Sequence, residues 1–145
     1  MPLLILAPME GITDPPMRRL LTGIGGIDWC VSEFIRVSGH VLPDRVIRRF
    51  VPEAETGWKT VFGVPVVPQI LGGDPEVMAG MARALERMGA PGVDLNFGCP
   101  AKTVNKHDGG ASLLKCPERL GGIVRAVRDA LRRIPVTVKI RLGWL

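Results

Sequence analysis

The strongest constraint on this chain is its rhythm: short apolar runs alternate with longer amphipathic ones from end to end. Leu3–Ala7, Trp29–Phe34, Val64–Leu71, Val93–Asn96 and Pro135–Leu142 read as strands. Their length and β-branched content suit strands rather than helices. Between them, Met17–Ile24, Pro43–Phe50, Asp74–Met88 and Cys116–Arg133 read as helices. Asp14-Pro15-Pro16 and Asp74-Pro75-Glu76 supply a capping acid followed by proline at helix starts, and Gly25-Gly26 and Gly89 stop the helices they follow. Pro65 and Pro68 cannot donate to a ladder, so pairing of the third strand is expected to begin late. Pro52–Gly63 carries no sustained period and reads as a connection, and Ala101–Ser112 as a polar, glycine-rich loop.

Strand and helix in strict alternation mean parallel βα units. No GxGxxG follows the first strand and no GxxxxGK[ST] occurs, which removes support for dinucleotide-binding and P-loop arrangements. The fold class expected is α/β: a partial TIM (β/α)8 barrel of about the first five βα units, since a closed barrel needs about 250 residues and this chain has 145. The continuous apolar character of Leu3–Ala7 predicts a strand buried on both faces. Hydrophobic residues make up 46% and charged residues 23%, a globular composition that excludes intrinsic disorder. The Leu3–Ala7 run is too short for a membrane span and lacks a basic leader. Cys30, Cys99 and Cys116 form no CxxC pair, which argues against a disulfide framework or a structural metal site and suits a reducing cytoplasm. Lysine and arginine number 19 against 14 acids, a formal charge of +5 that favours polyanionic partners.

In a (β/α) barrel the chemistry sits on loops that follow the strands. The polar residues fall there: Met9 and Glu10, Glu33 and Arg36, Gln69, Asn96 and Cys99, Lys139 and Arg141. Asn96-Phe97-Gly98-Cys99-Pro100 is the most informative of these stretches, because a thiol just past a strand end, between glycine and proline, is presented to a pocket.

These residues resemble the tRNA-dihydrouridine synthase family. The matching segments are LAPMEGITD (6–14), SEFIRV (32–37), PQILGGDP (68–75), GVDLNFGCPAKTVNKHDGGASLL (92–114) and VTVKIRLGW (136–144), in the expected order and over nearly the whole chain. APMEG and SEFIRV are most similar to the bacterial C-type subgroup. The resemblance implies a cytoplasmic enzyme that reduces a uridine of tRNA to 5,6-dihydrouridine with FMN, recharged by NADPH. It implies FMN contacts at Pro8, Met9, Glu10, Gln69 and Lys139, a proton-donating Cys99, uridine or tRNA contacts at Asn96 and Arg141, and a tRNA contact at Arg36. It also implies that residues 1–145 are the N-terminal portion of an FMN-binding barrel domain. The remaining strands and a helical tRNA-binding domain would then lie outside this chain, and FMN binding and activity would be impaired.

The residue types suit these roles. Saturating the C5–C6 bond of uracil takes a hydride at one carbon and a proton at the other; reduced flavin can supply the first. A thiol with the ordinary cysteine pKa of about 8.5 is protonated near neutrality and can supply the second. Cys99 is also compatible with a buried structural thiol, the reading preferred for Cys30 and Cys116. Lys139 can stabilise charge on a reduced flavin or serve as an ion-paired barrel lysine. Gln69 and Asn96 each offer donor and acceptor to a ring edge, or to the backbone beside them. Glu10 can hold the adjacent loop or cofactor, or stand as a solvated acid. Lys106-His107-Asp108 departs from the small residues the family carries there, and His107 reads as a surface histidine. Arg125, Arg128, Arg132 and Arg133 crowd one helix that a barrel places on its outside, which reads as a solvated face in preference to an RNA surface. Two other readings remain open at this level: a flavin barrel acting on a free pyrimidine, and a non-catalytic half-barrel that binds RNA.

Overall fold

The computed structural model describes residues 2–101 and 109–143. Five strands form one sheet in the order β1-β2-β3-β4-β5, every neighbouring pair parallel, curled into a half-barrel with helices on its convex side. The strands are β1 (Ile5–Leu6), β2 (Trp29–Arg36), β3 (Val66–Leu71), β4 (Val93–Phe97) and β5 (Val136–Ile140). The helices are α1 (Pro15–Ile24), α2 (Asp44–Phe50), α3 (Pro75–Arg87) and α4 (Pro117–Ala130), with 3-10 turns at Pro52–Glu55 and Gly110–Lys115. Asp14 caps α1 by accepting from Met17 N at 2.9 Å, and Asp74 caps α3 by accepting from Glu76 N and Val77 N. β3 starts at Val66, after Pro65, as the missing donor requires.

Strand alternation sorts side chains into two layers. On β4, Val93, Leu95 and Phe97 enter the core beneath α3 and α4, while Asp94 and Asn96 face the concave interior. On β3, Val66 and Ile70 face the core and Gln69 the interior. β2 needs a correction to simple alternation. Cys30 and Ile35 both join the same core, although they stand five positions apart, an odd offset that simple alternation puts on opposite faces. The register accounts for this: Val31 pairs with Val67 but Phe34 with Gln69, so β2 carries one extra residue. Ser32 Oγ bridges the bulge, accepting from Gln69 N at 3.1 Å and donating to Glu33 O at 2.8 Å. The strand also runs two residues past the predicted end at Phe34, to Arg36.

β1 departs from the expectation of a strand buried on both faces. Ile5 of β1 is 41% exposed, and Leu3 and Leu4 just before it 64% and 57%, because β1 is the marginal strand and, among the described residues, pairs with β2 alone. At the opposite margin, Ile140 of β5 is 55% exposed. Open apolar edges are what a part-barrel leaves.

Pro52–Gly63 is more than a connection. Glu53 receives a bidentate ion pair from Arg18 of α1, with Nε to Oε1 at 2.9 Å and Nη2 to Oε2 at 2.8 Å. Trp58, at φ +60°, is buried and donates Nε1–H to Met88 O at 2.9 Å. This plug sits beside Cys30, whose thiol burial pushes up to about 11. Arg125, Arg128, Arg132 and Arg133 are exposed on or just after α4. Residues 102–108, including His107 and Asp108, lie outside the described residues.

Candidate active site

Because all five strands are parallel, their C-terminal ends meet on one rim. A cavity of about 280 Å³ opens there, lined by Pro8, Met9 and Glu10 from the loop after β1, Phe34 from β2, Gln69 from β3, Asn96, Gly98, Cys99 and Pro100 from β4 and its loop, and Lys139 and Arg141 from β5 and beyond. Eight of the nine candidate site residues line it, contributed by four strands or the loops after them; Gly98, Pro100 and Phe34 join them without having been assigned a role. Arg36 does not join this group. It lines a neighbouring cavity of about 430 Å³ with Ser38, Gly72, Gly73, Asp74 and Arg119, because β2 is long enough to carry its last residue past the rim.

Each loop is held by contacts that follow from its residue types. Met9 N–H donates to Thr13 Oγ1 at 2.7 Å, and Gly11 N–H donates to Glu33 Oε1 at 2.6 Å. Gly11 adopts φ +74°, which glycine permits without strain. Glu33 of β2, rather than Glu10, therefore secures the first loop, and Glu10 is left exposed at the cavity edge. The Cys99 loop is fixed at four points. Gly98 N–H and Cys99 N–H both donate to Asn96 Oδ1 at 3.0 Å. Arg141 Nε–H donates to Gly98 O at 2.6 Å, and Ala111 N–H to Cys99 O at 3.0 Å. Cys99 is half-buried and faces the cavity, whereas Cys30 is buried in the core and Cys116 is exposed at the start of α4.

Beneath the cavity floor runs a chain of side-chain hydrogen bonds across three strands. Thr137 Oγ1–H donates to Asp94 Oδ1 at 2.5 Å, Gln69 Nε2–H donates to Asp94 Oδ2 at 2.6 Å, and Asn96 Nδ2–H donates to Gln69 Oε1 at 2.8 Å. Burial raises the Asp94 carboxyl above the usual carboxylate range, while the donations from Gln69 and Thr137 and the charge of Lys139 pull it back. Sequence reasoning gave Asp94 no role. Its signal was an acid between Val93 and Leu95, on the same strand face as Asn96. Arg119 was also missed, since nothing in α4 marks it as the residue that reaches the loop after β3, where Nη2 donates to Gly73 O at 3.3 Å.

The donor set fits an isoalloxazine ring. Pro8, Met9 and Phe34 offer apolar contact, Gln69 and Asn96 amide groups, and Lys139 a cation for a ring that becomes anionic on reduction. Among the described residues no helix is long and apolar enough to cross a membrane.

The dihydrouridine synthase (Dus) family profile matches residues 5–145. Curated relatives include the tRNA-dihydrouridine(16) synthase of Vibrio parahaemolyticus, 53% identical over 141 residues, which span 97% of this chain and 44% of that protein. The enzyme of the same name from Pseudomonas putida is 55% identical over 140 residues, 96% of this chain and 43% of the relative. That of Ralstonia nicotianae is 54% identical over 141 residues, 97% of this chain and 43% of the relative. The chain thus spans somewhat under half the length of these relatives.

Proposed function

Since this chain belongs to the dihydrouridine synthase family, we propose that its strand rim forms one wall of a flavin site that reduces a uridine of tRNA to 5,6-dihydrouridine. The target follows from the relatives' shared name: uridine 16. Residues 1–145 act as the N-terminal portion of the barrel domain, working in the cytoplasm with NADPH as reductant. The observation that carries the reading is the convergence of Cys99, Asn96, Gln69 and Lys139 on one cavity, from β3, β4 and β5.

When bound, FMN would supply the hydride for one carbon of the pyrimidine double bond. Pro8, Met9, Glu10, Gln69 and Lys139 would hold the ring, with Lys139 balancing its negative charge. Cys99 holds the proton for the other carbon, and its loop is braced from both sides by Asn96 and Arg141. Asn96 and Arg141 line the same cavity as Cys99 and would meet the uracil ring there. A uridine within folded tRNA must leave its stack to reach them. Arg36 and Arg119 line the adjacent cavity and meet the RNA backbone, where arginine's planar fork suits phosphate. That second arginine-lined cavity favours RNA over a free pyrimidine, which needs no contact so far from the reacting ring.

Two measurements test this. FMN titrated against the 145-residue chain should bind weakly, and Lys139→Ala should weaken it by about tenfold; equal binding by both proteins removes Lys139 from the site. Grafted in place of the corresponding segment of the Pseudomonas putida relative, residues 5–145 should support a 2 Da gain at uridine 16 of unmodified tRNA, a gain lost with Cys99→Ala (the two added hydrogens set that mass). Turnover that survives Cys99→Ala removes the cysteine as proton donor.

A further inference from the structure

The hydrogen bonds beneath the cavity run in one direction, and the residue that sets the direction is not one that touches the cavity. An ionised carboxylate can only accept. Asp94 therefore takes Gln69 Nε2–H at 2.6 Å, which turns Gln69 Oε1 toward Asn96. Gln69 Oε1 takes Asn96 Nδ2–H at 2.8 Å, which turns Asn96 Oδ1 toward the backbone. Asn96 Oδ1 takes the N–H groups of Gly98 and Cys99, both at 3.0 Å. Reversing any one amide would set donor against donor or acceptor against acceptor at both of its ends.

We propose that Asp94 is a positioning residue whose carboxylate fixes the polarity of this relay, and so fixes the backbone that presents Cys99. The inference deepens the function given above and rests on that reading only for the role of Cys99. It has a further consequence for recognition. With Oδ1 occupied by two backbone donors and one Nδ2 hydrogen given to Gln69, Asn96 keeps a single N–H for the cavity. A bound ring meets it through an acceptor such as an exocyclic carbonyl oxygen.

The relay makes an unusual mutational pattern. In Asn96→Asp the new carboxylate still accepts from Gly98 and Cys99, but it faces Gln69 Oε1. Gln69 is then caught between two acceptor-only groups. Asp94→Asn keeps its carbonyl toward Gln69 and gives its N–H to the Thr137 hydroxyl, which can also accept. The double variant Asp94→Asn with Asn96→Asp restores every bond with the Gln69 amide turned over. The charges facing this cluster are Lys139 from β5, with Arg141 and Glu10 at the cavity mouth; β3 contributes no titratable side chain.

The test uses the 145-residue chain and needs neither flavin nor RNA, so it can fail while the proposed function stands, and the reverse. Amide-exchange protection at Gly98 and Cys99 is measured by NMR, and Cys99 alkylation by iodoacetamide is followed by peptide mass spectrometry. Asn96→Asp should lose about tenfold in protection at pH 7 and regain it as pH falls, when one carboxylate takes up a proton. Cys99 alkylation should speed up in parallel. Asp94→Asn should stay near the parent, and the double variant should return to it at pH 7. If Asn96→Asp fails to fold, recovery of folding in the double variant is the same readout. A double variant no better than Asn96→Asp, or a loss in Asn96→Asp that pH does not relieve, overturns the proposal.

Discussion

Arg18 and Asp94 are both charged side chains inside this protein, yet they are accommodated on different plans. Arg18 lies in the outer layer, between α1 and the 3-10 turn at Pro52–Glu55, and is 0% exposed. Its guanidinium is matched by the Glu53 carboxylate and by Thr13 O at 2.7 Å, all within that layer. Asp94 lies in the inner layer and, among the described residues, forms no ion pair, although the charge of Lys139 acts on it. It is met by neutral donors from Gln69 and Thr137, and the chain of bonds it starts leads outward to the backbone of the Cys99 loop. A charge neutralised by its partner ties two elements together and ends there. A charge held by neutral amides orients them, and the last amide still has a hydrogen to offer a ligand. The first plan is a fastening, the second a site.

The largest separation between the two plans should come from Cys99→Ala in the grafted synthase. Turnover should fall by roughly 10²–10⁴-fold, the range for a positioned general acid, with little change in thermal stability. Glu53→Ala should do the opposite. It leaves a buried guanidinium unpaired and should cost about 3–5 kcal/mol in denaturant unfolding of the 145-residue chain. FMN affinity per folded molecule should not change. A Glu53→Ala protein of normal stability would break the comparison.

Smaller effects sharpen it. Gly72 sits where an added Cβ would lie 2.7 Å from Val37 O and 2.8 Å from Met78 Sδ. Gly72→Ala should therefore destabilise by about 1–3 kcal/mol and shift the neighbouring arginine-lined cavity, visible as weaker tRNA binding by the grafted enzyme. The smallest effects are in acid. Asp94 has its folded pKa raised above the ordinary 3.8, so the folded state binds its proton more tightly than the unfolded chain. Its contribution to stability falls as pH rises through the window above 3.8. Glu86 has its folded pKa lowered from 4.5 by accepting from the backbone N–H groups of Arg133, Arg132 and Ile134. Its contribution is present above pH 4.5 and is lost as pH falls through the lowered value. Unfolding midpoints measured across the acid range should show slopes of opposite sign removed by Asp94→Asn and Glu86→Gln.

Much of the site was legible because parallel repeats leave little choice. Once Gln69, Asn96, Cys99 and Lys139 each stand at or just past the end of a strand in a βα series, they share a rim. The capping acids Asp14 and Asp74 were legible for a similar reason, since a cap bonds to residues only two or three positions on. Arg36, expected as a tRNA contact just past a strand, lines the neighbouring cavity, and which cavity it meets was not legible because a bulge in β2 and two extra strand residues are matters of register with β3. Glu53 gave no sign of its partner Arg18, which is 35 residues away, and Trp58 gave none of Met88.

The order of elements, the helix caps, the two-layer sorting of β3 and β4 and the presence of a thiol at a strand end were determined by sequence alone, because each depends on local backbone preferences or on a period of two. Which polar groups meet was decided only in the tertiary structure. A hydrogen bond has a direction as well as a partner, and the direction of the Asp94–Gln69–Asn96 relay exists only when the registers of β3, β4 and β5 bring acceptor to donor across strands that are far apart in the chain.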